Sequence, residues 1–142
     1  MTRNVERRAR IVRIRTAESR IAQMELAQAK GSANQIRSIV DRIVALNNEN
    51  IATSGATDGM SLAAISETRA RLDTALKATA APLEHAIQRV NRQQTYSIYS
   101  EMREQGARRL LEKAERESAR QGELKAANSR CHPQQETNGD EQ

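Results

Sequence analysis

The chain has 142 residues, enough for one ordinary domain, but it contains no Phe or Trp and only two Tyr, which excludes a thick core built on aromatic side chains. Its net charge of +5, its charged fraction of 29% and its few Pro and Gly residues are typical of long helices. The longest apolar runs are too short for a membrane span or a secretory signal, so we expect a cytoplasmic protein without a transmembrane segment.

The first predicted helix covers about residues 4–53. Its apolar residues recur at steps of three and four, as on one face of a helix. They are Ile14, Ala17, Ile21 and Met24, then the small residues Ala29, Gly31 and Ala33, then Ile36, Ile39, Val40, Ile43 and Leu46. The spacing from Ile21 to Ile36 exceeds two heptads by one residue, which predicts a slip of the stripe and a kink near Gly31.

Residues 54–61 form the one strong interruption of the helical pattern. They are small or polar and include Gly55 and Gly59, which favours a turn. Ser61 is the expected N-cap of the next helix, because its hydroxyl can accept a hydrogen bond from a backbone N–H of the first turn.

The second predicted helix covers about residues 62–128, and one heptad frame describes most of it. One seam position holds Leu62, Leu76, Leu83, Val90 and Leu111; the other holds Ile65, Leu72, Ala86, Ala107 and Ala114. Pro82 predicts a kink or a break. Poor packing is expected further on, where Gln93, Ser97, Ser100 and Glu104 occupy seam positions while Ile98 and Met102 leave them.

The predicted fold is all-α: a long antiparallel two-helix coiled-coil hairpin over residues 1–128, followed by a disordered tail at 129–142. A fold-back at the turn places residue i opposite roughly residue 115 − i, to within several positions. Arginines from both helices then meet at the open end of the hairpin, a basic patch suited to an anionic surface. Its members are Arg7, Arg8, Arg10, Arg13, Arg103, Arg108 and Arg109.

Catalytic and cofactor sites are not expected. Cys131 and His132 lack the further ligands that a zinc site needs, and His85 on a helical pattern is more typical of a surface or seam residue than of a catalytic base. The turn glycines lack the Lys-Ser/Thr of a phosphate-binding loop. Nucleic acid is disfavoured because acidic residues are mixed with the arginines and an aromatic stacking platform is missing from the sequence.

A thin two-helix seam predicts a binding partner. Ordering each residue costs roughly 1–2 kcal/mol of backbone entropy, whereas half-covered seam positions recover only part of the hydrophobic gain. In the assumed register the second helix overhangs the first past about Glu112. That overhang leaves Leu111, Ala114 and Leu124 without an internal partner, so we expect it to be a docking segment.

The chain resembles the flagellar FliJ family, the small coiled-coil components of the flagellar type III export apparatus. The resemblance covers most of residues 5–128 and is carried by three stretches. They are Arg7-Arg8-Ala9-Arg10-Ile11-Val12-Arg13, Gly59-Met60-Ser61-Leu62, and Arg108-Arg109-Leu110-Leu111-Glu112-Lys113-Ala114-Glu115-Arg116. The chain differs from that family in lacking the aromatic residues common there.

The resemblance implies a non-enzymatic stalk in the centre of the hexameric export ATPase, with the basic open end facing the ring. It also implies binding to the cytoplasmic domain of the membrane export gate and to export chaperones, in the cytoplasm or at the inner face of the cell membrane. The region matching the gate contact contains Ile39, Ile43, Leu46, Leu72, Leu76 and Leu83, each of which also fits a role in the helix seam.

Two other classes of function remain open at this point. One is a homodimeric coiled-coil scaffold or adaptor unrelated to secretion. The other is a basic helical protein that binds nucleic acid or a membrane surface, for which affinity for duplex DNA should fall steeply with salt.

Overall fold

A computed structural model describes the backbone of residues 3–52 and 59–130 and the side chains of 3–50 and 59–130. These residues form two α-helices that pack against each other, α1 (Arg3–Ala52) and α2 (Gly59–Arg130), and the described ranges contain no strand. α1 is rich in Ala and Arg, and α2 in Ala, Arg, Glu and Leu, all residues of high helix propensity. The prediction of an all-α chain of two long packed helices is confirmed.

The helix boundaries lie close to the predicted ones. Because α2 begins at Gly59, Ser61 lies inside its first turn, and the prediction that Ser61 is the N-cap is wrong. Met60 is a good helix former, and so extends the helix on the N-terminal side. The predicted tail also starts later, because Ser129 and Arg130 are helical. The rest of that tail, from residue 131, positions 54–58 of the predicted turn and residue 53 of the first predicted helix lie outside the described residues.

The chain divides into two compact units, and each contains part of both helices. Among the described residues, unit 1 comprises 3–18 of α1 with 101–130 of α2. Unit 2 comprises 19–52 of α1 with 59–100 of α2.

Burial along α1 follows one heptad frame, with a buried or half-buried residue at every seam position from Val5 to Asn50. One position holds Val5, Val12, Ser19, Leu26, Ala33, Val40 and Asn47; the other holds Arg8, Arg15, Ala22, Ala29, Ile36, Ile43 and Asn50. The predicted stripe in the first half of α1 is therefore wrong: Ile14 is 52% exposed and Met24 72%. The slip near Gly31 is wrong as well, since the frame is uninterrupted there. A kink at Gly31 stays a prediction.

In α2 the predicted heptad frame matches the burial at nearly every position. The seam residues from Ile65 to Ala114 are buried or half-buried, apart from Arg69. Leu62 and Arg69, both near the start of α2, are exposed. The expectation of poor packing around residue 97 is wrong, since Ser97 and Ser100 are only 4% and 5% exposed.

The most deeply buried side chains of unit 2 are small. Ala22 is fully buried, and Ser19, Ala29, Ala33, Ser97 and Ser100 are nearly so. A side chain of one or two heavy atoms is covered only where the neighbouring helix surface lies close to its backbone. The packing of this seam therefore depends on close approach, and each methyl or methylene group buried in it contributes only about 0.8 kcal/mol.

Hydrogen bonds between the helices show how they are paired within each unit. In unit 1, Arg8 Nη1 donates to the carbonyl oxygen of Leu110 at 2.7 Å, and Thr16 Oγ1 donates to Glu104 Oε1 at 3.0 Å. In unit 2, Asn50 Nδ2 donates to the carbonyl oxygen of Ile65 at 3.3 Å. The Asn50 contact falls on the predicted register, while the predicted position opposite Arg8 was 107.

Pro82 lies inside α2, which continues through it. A proline lacks the N–H that would bond the carbonyl four residues earlier, here that of Ala78. Because α2 is continuous from Gly59 to Arg130, the alternative that Pro82 divides the second helix into two is wrong. A bend at this position stays a prediction.

Candidate partner-binding surfaces

The seven arginines of the predicted basic patch all belong to unit 1. Six of them are exposed and Arg8 is half-buried. The described residues of unit 1 contain fourteen Lys and Arg against eight Asp and Glu, an excess of six positive charges. Unit 1 therefore presents a basic surface.

These arginines differ in how they are held. Arg108 pairs with Glu104 on its own helix, with Nη2 2.7 Å from Oε1. Arg8 is fixed by its bond to the Leu110 carbonyl and by a second bond from Nε to Asn4 Oδ1 at 3.3 Å. None of the ion pairs between described residues includes Arg7, Arg10 or Arg13. Those three are exposed on the first turns of α1, where an anionic partner can reach them.

A groove of about 290 Å³ lies between the helices of unit 1. Its lining combines three arginines with apolar and small residues, and comprises Arg8, Ile11, Arg15, Arg103, Gly106, Ala107 and Leu110. Ile11 and Leu110 are large apolar side chains that remain exposed. The sequence prediction included Arg8 and Arg103 but missed the groove. Ile11 lies outside the heptad frame that starts at Val5, and burial was needed to establish that frame.

Two details of this groove matter for what it can bind. Arg15 Nη1 lies 2.6 Å from Glu18 Oε2, so its guanidinium is held in place by a carboxylate on the same helix. Gly106 lies in open space, since a Cβ built on it would have nothing within 4 Å beyond its own helix backbone and chain neighbours. Gly106 therefore adds no side chain to a groove that is otherwise lined by three arginines and by Ile11, Ala107 and Leu110.

The six residues of the predicted gate contact all lie in unit 2, but the structure separates them into two sets. Ile43, Leu72, Leu76 and Leu83 are half-buried at seam positions. Ile39 and Leu46 are exposed. A seam role therefore fits the first set, whereas Ile39 and Leu46 are free of the seam and accessible to a partner.

Unit 2 exposes further apolar side chains on both helices. Ile21 of α1 and Tyr96 of α2 line a second groove together with Glu25, Arg92 and Gln93. Met24, Ile98 and Tyr99 are also exposed. Around residues 19–33 of α1 and 97–100 of α2, small side chains are thus the most deeply buried, while several large apolar side chains beside them are exposed.

The overhang of α2 is shorter than predicted. Leu111 is half-buried and Ala114 is buried, so the prediction that they lack an internal partner is wrong. In unit 1 the Arg8 guanidinium reaches the carbonyl of Leu110, three positions beyond the residue predicted to lie opposite Arg8 and within the several positions allowed for that register. Residues 119–130, including Leu124, are all exposed.

His85 is exposed on α2, and Cys131 and His132 lie outside the described residues. No three His, Cys, Asp or Glu side chains of the described ranges converge on a point where a metal ion could bind. Neither α1 nor α2, as far as they are described, contains a stretch apolar enough to cross a bilayer. Comparison of the chain with protein-family models, with curated proteins and with solved structures found no match.

Proposed function

We propose that the chain is an antiparallel coiled-coil hairpin that acts by binding other proteins and has no catalytic activity of its own. The observation that carries this proposal is the inverted distribution of side chains in one segment of unit 2. Ser19 and Ala22 fill the seam there, whereas Ile21 and Met24 beside them are exposed. Ile21 lines a groove together with the exposed Tyr96, and exposed apolar groups that lie together mark an interaction surface.

The heptad burial of both helices supports the coiled-coil part of the proposal. The cross-helix bonds support the antiparallel part, because the partner position on α2 falls from 110 to 104 as the position on α1 rises from 8 to 16. Asn50 with Ile65 continues the same trend in unit 2.

On the resemblance to the FliJ family, the proposed setting is the flagellar type III protein export apparatus in the cytoplasm or at the inner face of the cell membrane. The hairpin would be the stalk in the export ATPase hexamer and would link that ring to the export gate and to export chaperones. The positive excess of unit 1 supports contact with an anionic surface of the ring, and the outward Ile39 and Leu46 support an apolar contact with the gate.

Co-purification of the chain with the export ATPase of the same organism tests the ring contact. The variant Arg7→Glu/Arg10→Glu/Arg13→Glu should lose the ATPase, since it reverses three exposed charges that make no ion pair with another described residue. Arg69→Glu, an exposed reversal on unit 2, is the control and should retain it. Absence of ATPase binding by the unaltered chain would reject the stalk.

The gate contact is tested with the gate's cytoplasmic domain. Ile39→Ser/Leu46→Ser removes two outward side chains and should weaken binding without altering the seam. Met60→Ser, at another exposed apolar position of unit 2, is the control. Equal binding by both variants would exclude Ile39 and Leu46 from the contact. A chain that binds neither export protein but self-associates through these residues would instead be a homodimeric scaffold.

A further inference from the structure

The groove of unit 1 has a regular arrangement along α1. Arg8 and Arg15 are one heptad apart, which is about 10 Å along the axis at 1.5 Å per residue. Ile11 lies between them, three residues after Arg8 and four before Arg15. The α2 wall adds Arg103 and the exposed Leu110. An apolar strip is thus bordered by positive charges at helical spacing.

The arginines keep donors available for a ligand although they already have partners. A guanidinium has five N–H donors. Arg8 uses two of its nitrogens for Asn4 and Leu110, and Arg15 uses one for Glu18. These bonds hold the side chains in position, so less conformational entropy is lost when a carboxylate binds the remaining donors.

Gly106 leaves room for an occupant of the groove. Glycine within a helix lowers its stability relative to alanine, and packing inside the unit does not require Gly106, because an added Cβ would meet nothing within 4 Å. Gly31 and Gly122 are equally open, so the charges and apolar side chains of the groove carry the argument for a ligand. A glycine that lines a groove allows another backbone or a bulky side chain to approach closely.

We infer that this groove binds an acidic amphipathic helix of a partner protein. The occupant has an apolar residue with one carboxylate three residues before it and another four residues after it. This spacing matches that of Arg8, Ile11 and Arg15. A partner helix that lies between α1 and α2 packs the ridges formed by its side chains into the groove between them. The chain's own residues 131–142 do not fit, since they have three acidic side chains but no Leu, Ile, Val, Met or aromatic residue.

The inference rests on the proposed binding function but does not depend on the export apparatus. Its test uses three synthetic helical peptides of equal length and the full chain. The first has the motif Glu-x-x-Leu-x-x-x-Glu repeated on one face, the second has Lys for Glu, and the third has Ser for Leu. Binding is measured by fluorescence anisotropy and mapped by amide chemical shifts.

The expected result is binding of the first peptide at least about tenfold tighter than either control peptide, because both the charges and the apolar contact contribute. The shifts should centre on the α1 segment from Arg8 to Arg15 and on the α2 segment from Arg103 to Leu110. Equal binding of the Ser peptide, or shifts elsewhere on the chain, would overturn the inference.

Gly106→Gln adds a long side chain of high helix propensity to the groove lining, and Gly122→Gln makes the same change at an exposed glycine outside the groove. Both variants should unfold at or above the temperature of the unaltered chain. Affinity for the first peptide should fall about tenfold in Gly106→Gln, as expected for a blocked pocket at an interface centre, and stay unchanged in Gly122→Gln. Equal affinities in the two variants would contradict docking in this groove.

A duplex DNA of random sequence serves as the competing anion. If it displaced the first peptide at equal or lower concentration and shifted the same amides, the groove would be a general anion surface and the inference would fail. Loss of the groove's peptide binding with ATPase co-purification intact would reject this inference alone. The reverse result would reject the stalk and leave the inference standing.

Discussion

Thr16 of α1 and Glu104 of α2 are joined by a hydrogen bond of 3.0 Å from Oγ1 to Oε1. The same carboxylate oxygen accepts bonds from Arg108 Nε at 3.1 Å and from Arg108 Nη2 at 2.7 Å. The Glu104 side chain is 16% exposed and occupies a seam position. A charged group is therefore accommodated in the seam of unit 1 because both helices supply donors to it, and its position ties α1 to α2 in one register.

Replacing Thr16 with valine removes the donor from α1 while keeping the shape of the side chain. We expect the free energy of unfolding to fall by about 1–3 kcal/mol, the usual range for a hydrogen bond to a charged, partly buried acceptor. Urea unfolding followed by circular dichroism measures it. Thr74→Val is the control, because Thr74 is exposed and its hydroxyl bonds the carbonyl of Ala70 on its own helix. A loss of equal size in both variants would show that the Thr16 bond does not contribute.

The small seam of unit 2 predicts a strong response to added bulk. Ala22→Leu introduces three carbon atoms at a fully buried position, and should destabilise the chain by about 1–3 kcal/mol because the helices have to separate. Ala27→Leu, at an exposed position of the same helix, should change the stability by less than about 0.5 kcal/mol. Thermal and urea unfolding of the pair test this. An Ala22→Leu variant as stable as the control would mean that the seam is loosely packed.

The seam of α2 could be predicted from its sequence, but the first half of the seam of α1 could not. In α2, large aliphatic residues such as Leu72, Leu76 and Leu83 define the frame. In the first half of α1, Ile14, Ile21 and Met24 recur at helical steps but lie outside the seam, and a rule that selects hydrophobic periodicity selects them. Ala and Ser are weakly hydrophobic, so their burial depends on close helix approach that the pattern of one helix does not show.

Gln93 is a polar seam residue, and the loss in free energy of unfolding that it causes should be measurable. Its Oε1 is buried and lacks a hydrogen-bond partner among the described residues. Leucine has a similar volume without the polar atoms, so Gln93→Leu should raise the free energy of unfolding by about 1–2 kcal/mol. The neighbouring exposed Gln94→Leu should leave it unchanged. If Gln93→Leu lowered the stability instead, the amide would be making a compensating interaction in solution.

The sequence predicted the basic surface, which depends on charge, better than the apolar surface, which depends on the helix face that each residue occupies. The patch arginines are clustered in the sequence at the start of α1 and late in α2. Pairing of the two helices brings both clusters into unit 1. Ile39 and Ile43 were equivalent in the sequence pattern, yet the first is exposed and the second half-buried. Only a frame fixed by the packed partner helix distinguishes them.

Pro82 offers a test of helix energetics within α2. It is exposed and lies inside the helix, so Pro82→Ala restores a backbone N–H without removing buried contacts. The free energy of unfolding should rise by about 1–3 kcal/mol, approaching the difference in helix propensity between the two residues. Calorimetric unfolding measures the change. An unaltered stability would indicate that the local backbone is already relaxed around the proline, as at a bend.

Leu111 and Leu124 provide a matched pair for locating where the helix pairing ends in unit 1. Leu111→Ala truncates a half-buried seam residue, and should cost about 1–3 kcal/mol, somewhat less than the 2–5 kcal/mol typical of a fully buried leucine. Leu124→Ala, in the exposed segment 119–130, should change the stability by less than about 0.5 kcal/mol. Urea unfolding compares the two. Because the substitution is identical, a difference reports only on the environment of each position. Equal destabilisation would place a packing partner against the last turns of α2 and would remove segment 119–130 from the surfaces available to other proteins.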